Sequence, residues 1–174
     1  MELRDSTTAS LVTSMAQAGA IARAAEIAAD IADPFQRSTA LRDIALIQVK
    51  SDALPGALNL ARLIPQAAAR TQALAQIATA YCDRNDPARA EAAGSEAETS
   101  LAGIAGYEDK ARGAARVAIV WAALHKYQRS RELAVSCHLP AERVLACRAI
   151  LRDYLLTSRP DLREAVAAIP KGEI

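Results

Sequence analysis

The histidines and cysteines, the commonest metal ligands, bases and thiol nucleophiles, are few and scattered: His125, His138, Cys82, Cys137 and Cys147. A structural zinc takes four N or S ligands, and Cys137-His138 with Cys147 and His125 would supply that number. Their setting argues otherwise. Cys137 and Cys147 stand where similar stretches of the chain carry Ile64 and Leu74, so both thiols are expected in the apolar core, behaving as small hydrophobes. Cys82 follows Tyr81 and has nothing beside it that marks an activated thiolate. No Ser–His–acid or Cys–His arrangement, Gly-rich phosphate loop or paired-carboxylate site stands out. The expectation is a non-enzyme that needs no cofactor and no metal. Chemistry, if any, falls to the cations, whose guanidinium groups recognise carboxylates in pairs of hydrogen bonds.

The elements that would position those cations are built from small residues. The chain has 174 residues, 52% of them hydrophobic but only 3% aromatic, so one domain with a core of Ala, Leu, Ile and Val is expected over residues 1–174. Alanine is the best helix former. With 21 Lys and Arg against 20 Asp and Glu, the chain is not a generally basic nucleic-acid binder. Its apolar runs are interrupted before the roughly 18 residues of a membrane span, so no membrane association is expected. The start, MELRDSTTASL, lacks an apolar signal region. Three cysteines without framework spacing point to free thiols and a cytoplasmic setting.

Internal repetition organises everything else. A basic residue opens each unit at Arg4, Arg37, Arg70, Lys110 and Arg143, giving spacings of 33, 33, 40 and 33 residues. Four residues on come Thr8, Leu41, Leu74, Ala114 and Cys147; seven on, Leu11, Ile44, Ile77, Val117 and Ile150; eight on, Val12, Ala45, Ala78, Ala118 and Leu151. Those offsets trace one face of a helix. A larger side chain follows in each unit: Met15, Gln48, Tyr81, Trp121 and Tyr154. Alignment of the three aromatics predicts packing between units rather than stacking on a ligand.

Each first helix ends at a turn signal: Ala18-Gly19, Ser51-Asp52, Asp83 to Pro87, His125-Lys126-Tyr127 and Ser158 to Asp161. Second helices carry a stripe of their own, as in Ala57, Leu60, Ala61 and Ile64. The units are therefore about 4–36, 37–69, 70–109, 110–142 and 143–174. The third is longer and Glu-rich, and is punctuated by Gly94, Gly103 and Gly106, so it is expected to be the least rigid. In the last, Pro160 to Pro170 echoes Pro55 to Pro65 with one deletion and no polar capping helix, which raises self-association through the C-terminal unit. The opening cations stand at helix starts, where the macrodipole disfavours them. Their recurrence predicts a structural ladder, with Asp33, Asp109 and Glu142 as candidate partners.

In unit three, Leu74, Ile77, Ala78, Tyr81 and Ala90 sit at tetratricopeptide consensus spacing, with Asp86-Pro87 at the turn within the repeat. Tyr127 matches the frequent aromatic after that turn in unit four. From Arg4 to about Ile169 the chain thus resembles the tetratricopeptide repeats, although the early Trp and closing Pro of the consensus are missing and HEAT-type pairs are a related alternative. The resemblance implies an all-α, right-handed α-solenoid of about five helix–turn–helix units and about ten antiparallel helices. It also implies a scaffold that holds a partner protein or peptide in a concave groove lined by first helices.

On that reading the groove presents Arg42, Lys50, Gln72, Gln76, Arg112, Arg116, Arg148 and Arg152, with Thr39 and Thr79 and against Asp43 and Asp83. Acids such as Glu26, Glu91, Glu96, Glu98 and Glu132 fall on second helices. A basic groove with an acidic back would steer an acidic segment into place. Two alternatives stand beside it. One is a helical repeat reading single-stranded RNA, against which the polar positions show no regular two-residue code. The other is a mainly structural part of a larger assembly.

Overall fold

The computed structural model describes residues 2–158, and their side chains from Thr7 onward. Those residues are all-helical, in nine helices without a strand: α1 (Glu2–Gln17), α2 (Ile21–Ala29), α3 (Pro34–Lys50), α4 (Leu54–Arg62), α5 (Ala67–Asp83), α6 (Pro87–Leu101), α7 (Tyr107–Ala123), α8 (Tyr127–Ser136) and α9 (Pro140–Ser158). The expected tenth helix, with the echo from Pro160 to Pro170, lies outside the described residues, as does the side chain of Arg4. None of the described helices is long and apolar enough to cross a membrane.

Odd and even helices alternate in length and in role. α3, α5 and α7 have 17 residues each, whereas α2, α4 and α8 have 9, 9 and 10. Each odd helix packs on the next odd one, and each even helix packs on the odd helices before and after it. Local chemistry marks the starts. Asp33 and Asp86 cap α3 and α6 by accepting the backbone N–H of Gln36 at 2.8 Å and of Arg89 at 3.1 Å, with a proline next in the chain.

The turns after α1, α3, α5 and α7 are four copies of one device. Gly19, Asp52, Asn85 and His125 all have positive φ, between 55° and 90°. The next residue returns its N–H to the carbonyl five back: Ala20 to Met15, Ala53 to Gln48, Asp86 to Tyr81 and Lys126 to Trp121. That is the Schellman closure of a helix end. The residues whose carbonyls accept are the larger side chains that line up in the sequence.

The apolar offsets fill the core. Leu41, Ile44, Ala45, Leu74, Ile77, Ala78, Ala114, Val117 and Ala118 are all buried, as are Tyr81 and Trp121. α9 departs from this pattern. Cys147, expected in the core, is exposed, and so are Leu151 and Tyr154; Ala146 is the residue that α9 buries. Among the described residues α9 packs chiefly on α7 and α8, and Leu151 and Tyr154 on its far half are exposed.

Much of the extension of unit three is helical, with Gly103 and Gly106 in the connection that follows α6. α6 runs unbroken for 15 residues through Gly94, which is buried. A Cβ there would come within 3.1 Å of Val120 Cγ1, so the glycine lets α6 settle onto α7. Gly113 does the same from the other side, where a Cβ would stand 2.7 Å from Leu101 Cδ2. Two of the opening cations form contacts between units, and their partners are carbonyls rather than Asp109 or Glu142. Arg70 Nη1 donates to Ile64 O at 2.9 Å, and Arg143 Nε donates to Cys137 O at 2.9 Å. Both acceptors lie just past an even helix, where free carbonyls and the negative dipole end attract a cation. Arg70 Nε also reaches Ser100 Oγ at 3.0 Å.

Candidate functional site

Consecutive odd helices leave two shallow depressions between them. The first, about 280 Å³, is lined by Phe35, Thr39 and Arg42 of α3, by Gln72 of α5 and by Asp109, Arg112 and Arg116 of α7, with Gln66 at its edge. The second, about 290 Å³, lies across α5, α7 and α9 and carries Thr79, Asp83, Arg148, Arg152 and Asp153 around Ile119, Ala122, Leu145 and Leu156. Six of the eight residues read from the sequence as a binding face thus fall on these hollows. Lys50, exposed at the end of α3, and Gln76, half-buried on α5, line neither.

The two hollows differ in character. In the first, Arg42 donates through Nε and Nη2 to Asp43 Oδ1 at 3.0 and 2.8 Å, and Arg112 pairs with Glu108 and Asp109 at 3.0 and 3.2 Å. The Arg112 pairs are exposed and contribute about 0–1 kcal/mol, so an incoming carboxylate would exchange with them at little cost, whereas the Arg42–Asp43 pair is part-buried. Its floor is the more polar of the two. The second is walled by alkyl groups, and Arg152 there has its Nε buried without a hydrogen-bond partner.

Three of the acids on the even helices, all on α6, are tied to neighbouring elements. Glu91 pairs with Lys126, Glu96 with Arg62 at 2.6 Å, and Glu98 with Arg129 at 2.9 Å. Glu98 Oε2 also accepts the Trp121 Nε1–H at 2.7 Å, and the Arg129 guanidinium lies 4.3 Å from the Trp121 ring centroid. These carboxylates bind α6 to α4, α7 and α8.

A polar cluster escaped the sequence reading because its members are far apart in the chain. His125 Nδ1 lies 2.9 Å from Asp153 Oδ2, and the Tyr127 hydroxyl donates to the same oxygen at 2.8 Å. Burial pushes the Tyr127 hydroxyl pKa up, so the phenol stays protonated as a donor. The cluster fastens the α7–α8 turn to α9. It gains no nucleophile from Cys82, whose thiol is pushed up to about 11 by burial and by the charges of Asp83 and Asp153. Among the described residues no group of three or more His, Cys, Asp or Glu side chains gathers as metal ligands would. The chain matches no protein-family model, no curated protein and no solved structure.

Proposed function

We propose that the chain is a right-handed, tetratricopeptide-like α-solenoid acting as a non-catalytic interaction module, which holds an acidic segment of a partner protein along its odd helices. The solenoid reading is supported by the stepwise odd-to-odd packing and by four like Schellman turns. The functional reading rests on one observation: Arg42, Arg112 and Arg116, from α3 and α7, surround a single hollow with Gln72 between them. Three guanidiniums in one depression favour a run of carboxylates, each held by paired hydrogen bonds.

The test begins with affinity capture of a partner from native lysate, followed by titration against the wild type and the Arg112→Glu, Arg148→Glu double variant. Roughly tenfold or greater weakening is expected, more at low salt than at high. Unchanged affinity in the double variant overturns the proposal.

A further inference from the structure

A third hollow lies away from the odd-helix face, beside the extra length of α6. Leu101 of α6, Ala111 and Ala114 of α7 and Leu133 of α8 wall a cavity of about 430 Å³, within the ~300–1,000 Å³ span of small-ligand sites. It shares no lining residue with the two depressions, so what it binds is independent of the peptide proposal.

Polar groups from several elements meet at its rim. Tyr107 opens α7 and stacks on His138, with ring centroids 5.9 Å apart and planes 11° from parallel. Two other rim groups are already engaged. Glu98 Oε2 accepts from Trp121 and Arg129, and Ser136 Oγ donates to Leu133 O at 2.7 Å. Lys110 is not engaged. Its counterparts Arg70 and Arg143 reach back to a carbonyl, whereas the Lys110 ammonium has no hydrogen bond or ion pair among the described residues and lines the cavity instead.

The geometry points to a binding site for a small amphiphilic carboxylate, its apolar body on Leu101, Ala111, Ala114 and Leu133 and its carboxylate on Lys110 Nζ. The sign of the charge follows from what is left over. Glu98 is the one carboxylate on the wall, and the Arg129 guanidinium already pairs with it, so the field at the mouth is that of Lys110. A cationic ligand would face that field without a counter-charge. The alkyl walls offer nothing to satisfy the hydroxyls of a sugar or nucleoside, which would be buried at a cost.

The experiment titrates the protein with decanoate and, separately, with decanol, following backbone amide shifts in two-dimensional NMR spectra. The wild type is compared with Lys110→Gln, an exposed change that leaves the core untouched, and with Ala114→Leu, which fills the cavity. Decanoate is expected to shift the amides of Tyr107 and His138 saturably, with roughly tenfold weaker affinity in Lys110→Gln. Decanol affinity should not respond to Lys110→Gln, and both probes should be lost in Ala114→Leu. Absence of saturable shifts with decanoate, or the same decanoate affinity in Lys110→Gln, overturns the inference. The Lys110 arm decides the matter even where Ala114→Leu disturbs folding.

Discussion

Trp121 and Tyr154 hold the same place in their helices, eleven residues after Lys110 and Arg143, yet one is sealed and the other is open. Trp121 is 0% exposed, bonded to Glu98 and covered by Arg129. Tyr154 is 51% exposed and meets the edge of Tyr127, at 5.6 Å between centroids. α7 packs on α5, α6, α8 and α9, whereas α9 packs chiefly on α7 and α8 among the described residues. A position in the repeat therefore offers a side chain for burial, and the neighbouring helices decide whether the offer is taken up.

The largest contrast should appear on truncation. Trp121→Ala is expected to lose about 3–5 kcal/mol in urea unfolding, and Tyr154→Ala under about 1 kcal/mol. Equal losses would break the comparison. Next comes the close approach of helices in the centre. Gly113→Val should cost about 1–3 kcal/mol, because its side chain meets Leu101, Ile104 and Thr71. A neutral result would mean that α6 and α7 are less tightly joined than described.

A smaller effect separates the ladder arginines. Arg70 reaches Ile64 O and Ser100 Oγ, whereas among the described residues Arg143 reaches Cys137 O. Arg70→Met is expected to cost about 1–2 kcal/mol and Arg143→Met about half that, in the same unfolding assay. The reverse order would show that centre and end are equally well locked.

The thiols sharpen the picture most finely. Cys147 is exposed, Cys82 half-buried and Cys137 buried, so a colorimetric disulfide reagent at pH 8 should label them in that order. Burial raises the Cys82 pKa to about 11, so the fold favours its neutral thiol. Stability from this source is present below the unfolded pKa of about 8.5 and is lost as pH rises toward about 11. Urea midpoints of the wild type should fall over that window, and those of Cys82→Ala should fall less.

Much of the fold was legible in residue spacing, because the period of a helix is local. The offsets that bury Leu41, Ile44 and Ala45 do so again for Leu74, Ile77 and Ala78 and for Ala114, Val117 and Ala118. They fail for Cys147 and Leu151 at one end and for Leu11, 58% exposed, at the other, since periodicity does not show how many neighbours a helix has. The packing role of Gly94 was not legible, because propensity counts the backbone and not the helix that presses against it. The arginine ladder was visible as a spacing, but its carbonyl partners were not, since every residue carries a carbonyl and no sequence signal singles one out. Arg42, Gln72, Arg112 and Arg116 do gather around one hollow, whereas the cavity at Lys110 is lined from α6, α7 and α8 together, a juxtaposition that no local spacing shows.

Trp121 is the chain's sole tryptophan, and its indole nitrogen is bonded to Glu98, a residue on the wall of the Lys110 cavity. The molecule therefore carries its own optical gauge at the meeting point of α6, α7 and α8. Intrinsic emission should shift to the red when that junction opens and remain still while α9 frays, without any label being attached.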